Sequence, residues 1–172
     1  MENENGTRRR KQFVENDICI EFDAVSENEG LARVVIAAFI SRADPTIDEL
    51  EDVKTAVSEA VTNAIIHGYR EQGGRVVMRA HLTEENELSV EIADRGVGIA
   101  DVAQAMQPLY TSAAGNERSG MGFSFMEAFM DRLEVESSIG EGTVVHMWKS
   151  FGTEEELVPI LQAAVWNSSG RV

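Results

Sequence analysis

The chain has 172 residues, 15 of them basic and 30 acidic, for a formal charge of −15. That length suits one domain, and 43% apolar residues suffice for a core; the acid excess argues against a DNA or RNA groove, which needs a basic face. A single cysteine, Cys19, excludes an internal disulfide and a cysteine-based zinc cluster, and no apolar run approaches the ~20 residues of a bilayer span, so the composition points to a cytosolic protein without a membrane anchor.

Residues 1–16 read as a flexible polar leader with one basic patch, Arg8 to Lys11, and no apolar signal core. Ile18, Ile20 and Phe22 alternate with Cys19 and Glu21, which predicts a strand. Ser26 to Glu29 offer capping residues for a helix whose expected apolar stripe is Leu31, Val34, Val35, Ala38 and Phe39. A second helix is expected from Ile47 to His67, with Leu50, Val53, Val57, Ala60, Val61, Ala64 and Ile65 on one face. Gly73-Gly74 ends it. Val76–Leu82 and Glu87–Ala93 then form a hairpin around the polar turn 83–86. A glycine-rich turn at 94–98 and an irregular stretch from Ala100 to Ser119 precede a helix from Met121 to Met130. Leu133–Ser137 and Thr143–Trp148 close the domain as a hairpin, and a tail from 150 to 172 begins with a capping box, Thr153 with Glu156. The expected domain is 17–149, a two-layer α/β sandwich: a mixed, mostly antiparallel sheet with helices on one face.

Three short motifs bear on chemistry. Glu59 and Asn63 lie one helical turn apart, nearly opposite the apolar stripe. A carboxylate beside a carboxamide suits a proton acceptor and an amide ligand for Mg²⁺, and equally suits a solvated helix face. Asp94-Arg95-Gly96-Val97-Gly98 directly follows a strand. Its aspartate can accept from an exocyclic amine such as that of adenine, although plain strand-to-loop turns have the same composition. Ser119-Gly120-Met121-Gly122 opens a helix, where free backbone N–H groups attract anions, with Arg118 adjacent. The same glycines also ease entry into a core helix. The segment fits neither a P-loop nor the dinucleotide fingerprint. His67, His81 and His146 lack metal-ligand spacing and read as structural, and Met121, Met126 and Met130 as core packing.

Taken together, the three motifs resemble the N, G1 and G2 boxes of the GHKL ATP-binding superfamily, whose Bergerat fold they imply. SENEGLARVVIAAFI (26–40), SEAVTNAIIHGY (58–69) and ERSGMGFSFMEAFMD (117–131) are similar to the anti-sigma F factors of spore-forming bacteria. That family consists of serine protein kinases that also sequester a sporulation sigma factor. The resemblance implies ATP and Mg²⁺ as cofactors, with Glu59 as general base toward a serine of the anti-anti-sigma protein and Asn63 holding Mg²⁺. It implies Asp94 at the adenine amine, with Gly96 in the same turn and Gly98 letting the ring come close. Ser119, Gly120, Met121 and Gly122 would cradle phosphates, Arg118 would reach the γ-phosphate, and Thr143 would support the adenine pocket through water. Arg33 matches a partner-contacting residue, and the family forms homodimers partly through the first strand, here Ile18 to Phe22. The lid 108–115 departs from the family, which commonly has a lysine and a proline after the threonine; the missing charge is expected to weaken γ-phosphate sensing or loosen lid ordering. A general-stress type of anti-sigma kinase and a nucleotide-gated binding module without transfer share the same motifs.

Overall fold

The computed structural model describes residues 15–107 and 121–152. Five strands pair in the spatial order β1-β2-β3-β5-β4: β1 (Asn16–Asp23), β2 (Arg75–Leu82), β3 (Glu87–Asp94), β4 (Arg132–Ser138) and β5 (Gly142–Ser150). All four pairings are antiparallel, so the sheet expected to be mixed has no parallel pair among the described residues.

One row across the sheet shows why the sequence folds this way. Ile20, Met78, Ile92, Val145 and Val135 lie side by side on the five strands. Met78, Ile92 and Val145 are buried in the core. The neighbouring row, one residue along each strand, is Cys19, Arg79, Glu91, His146 and Glu134, on the opposite face. There Arg79 pairs with Glu91, and His146 Nδ1 lies 3.9 Å from the same carboxylate. A slip of one residue would exchange these rows and bury the charges, so the alternation fixes the register.

The helices cover the apolar face. They are α1 (Glu27–Ile40), α2 (Ile47–Asn63), the single turn α3 (Val102–Ala105) and α4 (Gly122–Phe129). α1 buries Ala32, Ile36, Phe39 and Ile40, whereas Leu31 and Val34 of the expected stripe stay 46% and 67% exposed. This corrects part of the face: Phe39 is buried and Val35 packs against the core as expected, but Ala32, Ile36 and Ile40 take the place of Leu31, Val34 and Ala38 because packing on α2 and the sheet decides. Ser26 has helical dihedrals and gives α1 no side-chain cap.

α2 starts at a capping box in which Thr46 N–H donates to Glu49 Oε2 (2.8 Å) and Glu49 N–H donates to Thr46 Oγ1 (3.2 Å). Its buried residues Val53, Val57, Ala60 and Val61 follow the expected stripe. The helix does not run on unchanged to His67: residues Ala64–Gly68 widen into a π turn, with Tyr69 N–H donating to Ala64 O at 2.9 Å. α3 occupies part of the stretch expected to be irregular, capped by Asp101, whose Oδ1 accepts from Gln104 N–H at 2.9 Å. Met126 and Met130 pack in the core, as expected. Lys149 ends α4 by donating to Phe129 O at 2.7 Å and reaches Asp52 of α2 at 3.3 Å. Residues 1–14 of the leader, the lid 108–115 and the tail from 153 lie outside the described residues.

The face assignment of α1 is testable by melting. Ile36→Ala should cost about 2–5 kcal/mol through lost burial and a cavity, and Val34→Ser should stay within about 0.5 kcal/mol. Equal losses would place Val34 in the core.

Candidate nucleotide site

α2 carries Glu59 and Asn63 one turn apart, both half-buried. The start of α4 lies directly over them. A Cβ built on Gly122 would stand 3.0 Å from Glu59 Oε2, 3.3 Å from Asn63 Nδ2 and 3.4 Å from Asn63 Oδ1. A residue without a side chain therefore lets the α4 backbone approach both groups. The first N–H groups of a helix have no acceptor within it, so a carboxylate, a carboxamide and the positive end of a helix dipole share one spot. Glu59 and Asn63 are therefore packed against α4 and do not lie on an open helix face.

The second cluster lies at the end of β3. Asp94 continues the buried, helix-facing positions Leu88, Val90 and Ile92, and is 8% exposed. Its Oδ1 accepts from Gly96 N–H at 2.8 Å. Burial pushes its carboxyl above the usual aspartate value, and the N–H groups of Gly96 and Thr143 pull less strongly the other way. Thr143 is its neighbour across the β3–β5 ladder and is also buried. Gly98 takes φ +71, and a Cβ there would lie 2.0 Å from Ser138 O, so this turn can pass against the β4–β5 hairpin only as glycine.

Ser137, which the sequence reading passed over, ties together this end of the site. Its hydroxyl donates to Gly142 O (2.8 Å) and accepts from Ile99 N–H (2.8 Å). With its proton committed to Gly142, the 2.9 Å contact with Thr143 Oγ1 makes Thr143 the donor there and leaves the lone pairs of that hydroxyl as acceptors. Tyr69 was also passed over: its hydroxyl accepts from Arg95 N–H at 2.8 Å. A serine and a tyrosine beside glycine-rich turns carry no spacing signal, so tertiary contact alone shows them.

The π turn joins the two clusters, since Gly68 O accepts from Val97 N–H at 2.9 Å. Asn63, Glu59, Met121 and Gly122 thus gather on one side, and Asp94, Gly96, Gly98 and Thr143 on the other. Arg118, Ser119 and Gly120 lie outside the described residues. Arg33 stands apart on α1, 3.8 Å from Glu29, and Glu29 in turn contacts Ser58, the neighbour of Glu59. His81 pairs with Asp17 at 2.8 Å, and His146 stacks on Trp148. Among the described residues no group of three or more His, Cys, Asp or Glu is placed to hold a metal ion, and no helix is long and apolar enough to cross a membrane.

Residues 22–149 match the family described as "Histidine kinase-like ATPase domain". The chain is 53% identical over 144 residues to the anti-sigma F factor of Clostridium acetobutylicum, covering 84% of this chain and 100% of that one. It is 55% identical over 138 residues to the anti-sigma F factor of Clostridium beijerinckii, covering 80% of this chain and 96% of the relative. Among solved structures, the RsbU and RsbW domains of a Mycobacterium tuberculosis protein superpose with a TM-score of 0.56 at 17% identity, over 79% of this chain and 32% of that one, a likeness of fold.

The buried carboxyl has a consequence for stability. Because the folded protein holds the Asp94 proton more tightly than the unfolded chain does, the contribution of Asp94 falls as pH rises above about 4. Asp94→Asn should therefore melt higher than the parent at neutral pH, with the gap closing toward about pH 4. Melting curves across that range check this. A variant that melts lower at neutral pH would show that the ionised carboxylate is held by net stabilising bonds.

Proposed function

The chain belongs to the anti-sigma F factor family and carries its histidine kinase-like ATPase domain, and from that premise we propose that it is an ATP-dependent protein serine kinase that holds a sporulation sigma factor inactive and phosphorylates the anti-anti-sigma antagonist. The observation that carries this reading is the convergence of Glu59 and Asn63 under the first turn of α4, bound through the π turn to Asp94. Phosphoryl transfer needs positioned groups and charge neutralisation more than covalent chemistry; these residues supply the positioned groups, and Mg²⁺ and Arg118 would supply the neutralisation.

Asp94 would accept from the adenine amine, beside Gly96, with Gly98 leaving room for the ring and Thr143 supporting the base through water. Asn63 would hold Mg²⁺, which when bound neutralises phosphate charge. Asn63 suits that task through its amide oxygen, because Mg²⁺ takes few protein ligands and completes its shell with phosphate and water oxygens. Backbone N–H groups of Gly120, Met121 and Gly122 would receive phosphate oxygens next to Ser119, and Arg118 would meet the γ-phosphate. Glu59 would take the hydroxyl proton of the partner's serine as its oxygen attacks.

Partner binding belongs on the outer surface. Arg33 lies on the exposed side of α1, and a sigma factor's basic regions suit a chain of charge −15. Among the described residues β1 pairs with β2 along one edge, and its other edge would serve a homodimer. We place the protein in the cytosol, where sigma factors act.

The test incubates ATP, Mg²⁺ and the anti-anti-sigma protein with the parent chain and Glu59→Gln, and reads phosphoserine by mass spectrometry. The parent should form phosphoserine, and Glu59→Gln should be slower by roughly 10²–10⁴-fold. Equal rates would remove Glu59 as the base. ATP-dependent partner binding without phosphoserine would make the chain a nucleotide-gated binding module. Retention of a general-stress sigma factor in place of the sporulation one would overturn the partner assignment.

A further inference from the structure

Tyr69 reaches from the end of the α2 segment to the turn that follows Asp94. Its hydroxyl donates to Arg75 O at the first residue of β2 (2.6 Å) and accepts from Arg95 N–H (2.8 Å). A phenol hydroxyl has one proton, and here that proton is committed, so its orientation is set by both neighbours at once. Its ring lies against Gly74 so closely that a Cβ on Gly74 would come within 2.2 Å of it. Between ring and glycine the chain turns through Arg70 and Glu71, both left-handed at φ 52 and φ 60, conformations that such residues adopt at a cost.

We propose that Tyr69 is a positioning residue for base recognition: it anchors the peptide after Asp94 to the end of the helix that carries Asn63, and so sets where the Asp94 carboxylate meets the base. The proposal rests on the nucleotide reading of the site given above. Two further links run in parallel. Gly68 O accepts from Val97 N–H, and Gly96 packs so tightly on Gly68 that a Cβ there would lie 2.1 Å from Gly68 O. Those links are backbone to backbone and set the approach of the two segments. The Tyr69 link acts on the residue adjoining Asp94, and a single oxygen atom removes it.

Tyr69→Phe removes that oxygen and keeps the ring on Gly74. Three quantities are read on the full chain: amide exchange at Arg95, the melting temperature, and calorimetric affinities for ATP and for inosine triphosphate, which has a carbonyl in place of the exocyclic amine. Arg95 should exchange faster, since its N–H loses its acceptor. ATP affinity should fall by about three- to tenfold, the scale of one lost hydrogen bond. Affinity for inosine triphosphate should change much less, so the preference for ATP narrows. A merely structural Tyr69 would lower the melting temperature and weaken both nucleotides alike. An unchanged ratio of the two affinities in Tyr69→Phe overturns the proposal, whatever happens to the melting temperature. Failure of the parent chain to bind ATP overturns the nucleotide reading itself, and this proposal with it.

Discussion

The seam between the end of α2 and the end of β3 is the constraint on which the site depends. α2 brings Glu59 and Asn63; β3 brings Asp94. Neither element could place its residues relative to the other by sequence spacing alone. The π turn closes the gap: it widens the last turn after Asn63, carries Gly68 onto the Asp94 carboxylate, and lets Gly68 O take the Val97 N–H at 2.9 Å. An ordinary α-helical turn would direct that carbonyl along the helix to its own i+4 N–H. The end of this irregular turn thus joins two secondary-structure ends at one site.

The pocket is bought with stability. Asp94 is a carboxylate among apolar neighbours, and desolvation outweighs its N–H donors in holding its proton. Arg70 and Glu71, directly after Tyr69, sit in left-handed conformations. Costs of this kind concentrate where a ligand is to be held. They are offset by the regular remainder of the domain, where a row of apolar residues crosses all five strands under the helices and a charged row crosses the other face.

Much of this was legible in the sequence, for physical reasons that differ from place to place. Strands and hairpins were readable because one face of each is dry and the other wet. The stripe of α2 was readable for the same reason at helical period. α1 was misread in part because Leu31 and Val34 repeat as regularly as Ala32, Ile36 and Ile40, and tertiary packing, not period, chose between them. Spacing put Glu59 and Asn63 on one helix face, yet nothing local shows Gly122 resting on them. The π turn, Tyr69 and Ser137 were missed because each acts through contacts distant in sequence. The capping box at Thr46 and Glu49 was legible and overlooked.

The charge of −15 acquires a local meaning from the site. A triphosphate would have to be received against that charge, which makes the N–H groups at the start of α4 essential to the account. The most direct measurement of its central claim, that one nucleotide spans both clusters, is an amide NMR titration with ATP and Mg²⁺. The account predicts that Gly96, Val97 and Thr143 at one end and Gly122 and Phe123 at the other shift together along a single binding curve. Shifts confined to one cluster, or centred on the outer sheet face around His81, His146 and Trp148, would contradict it.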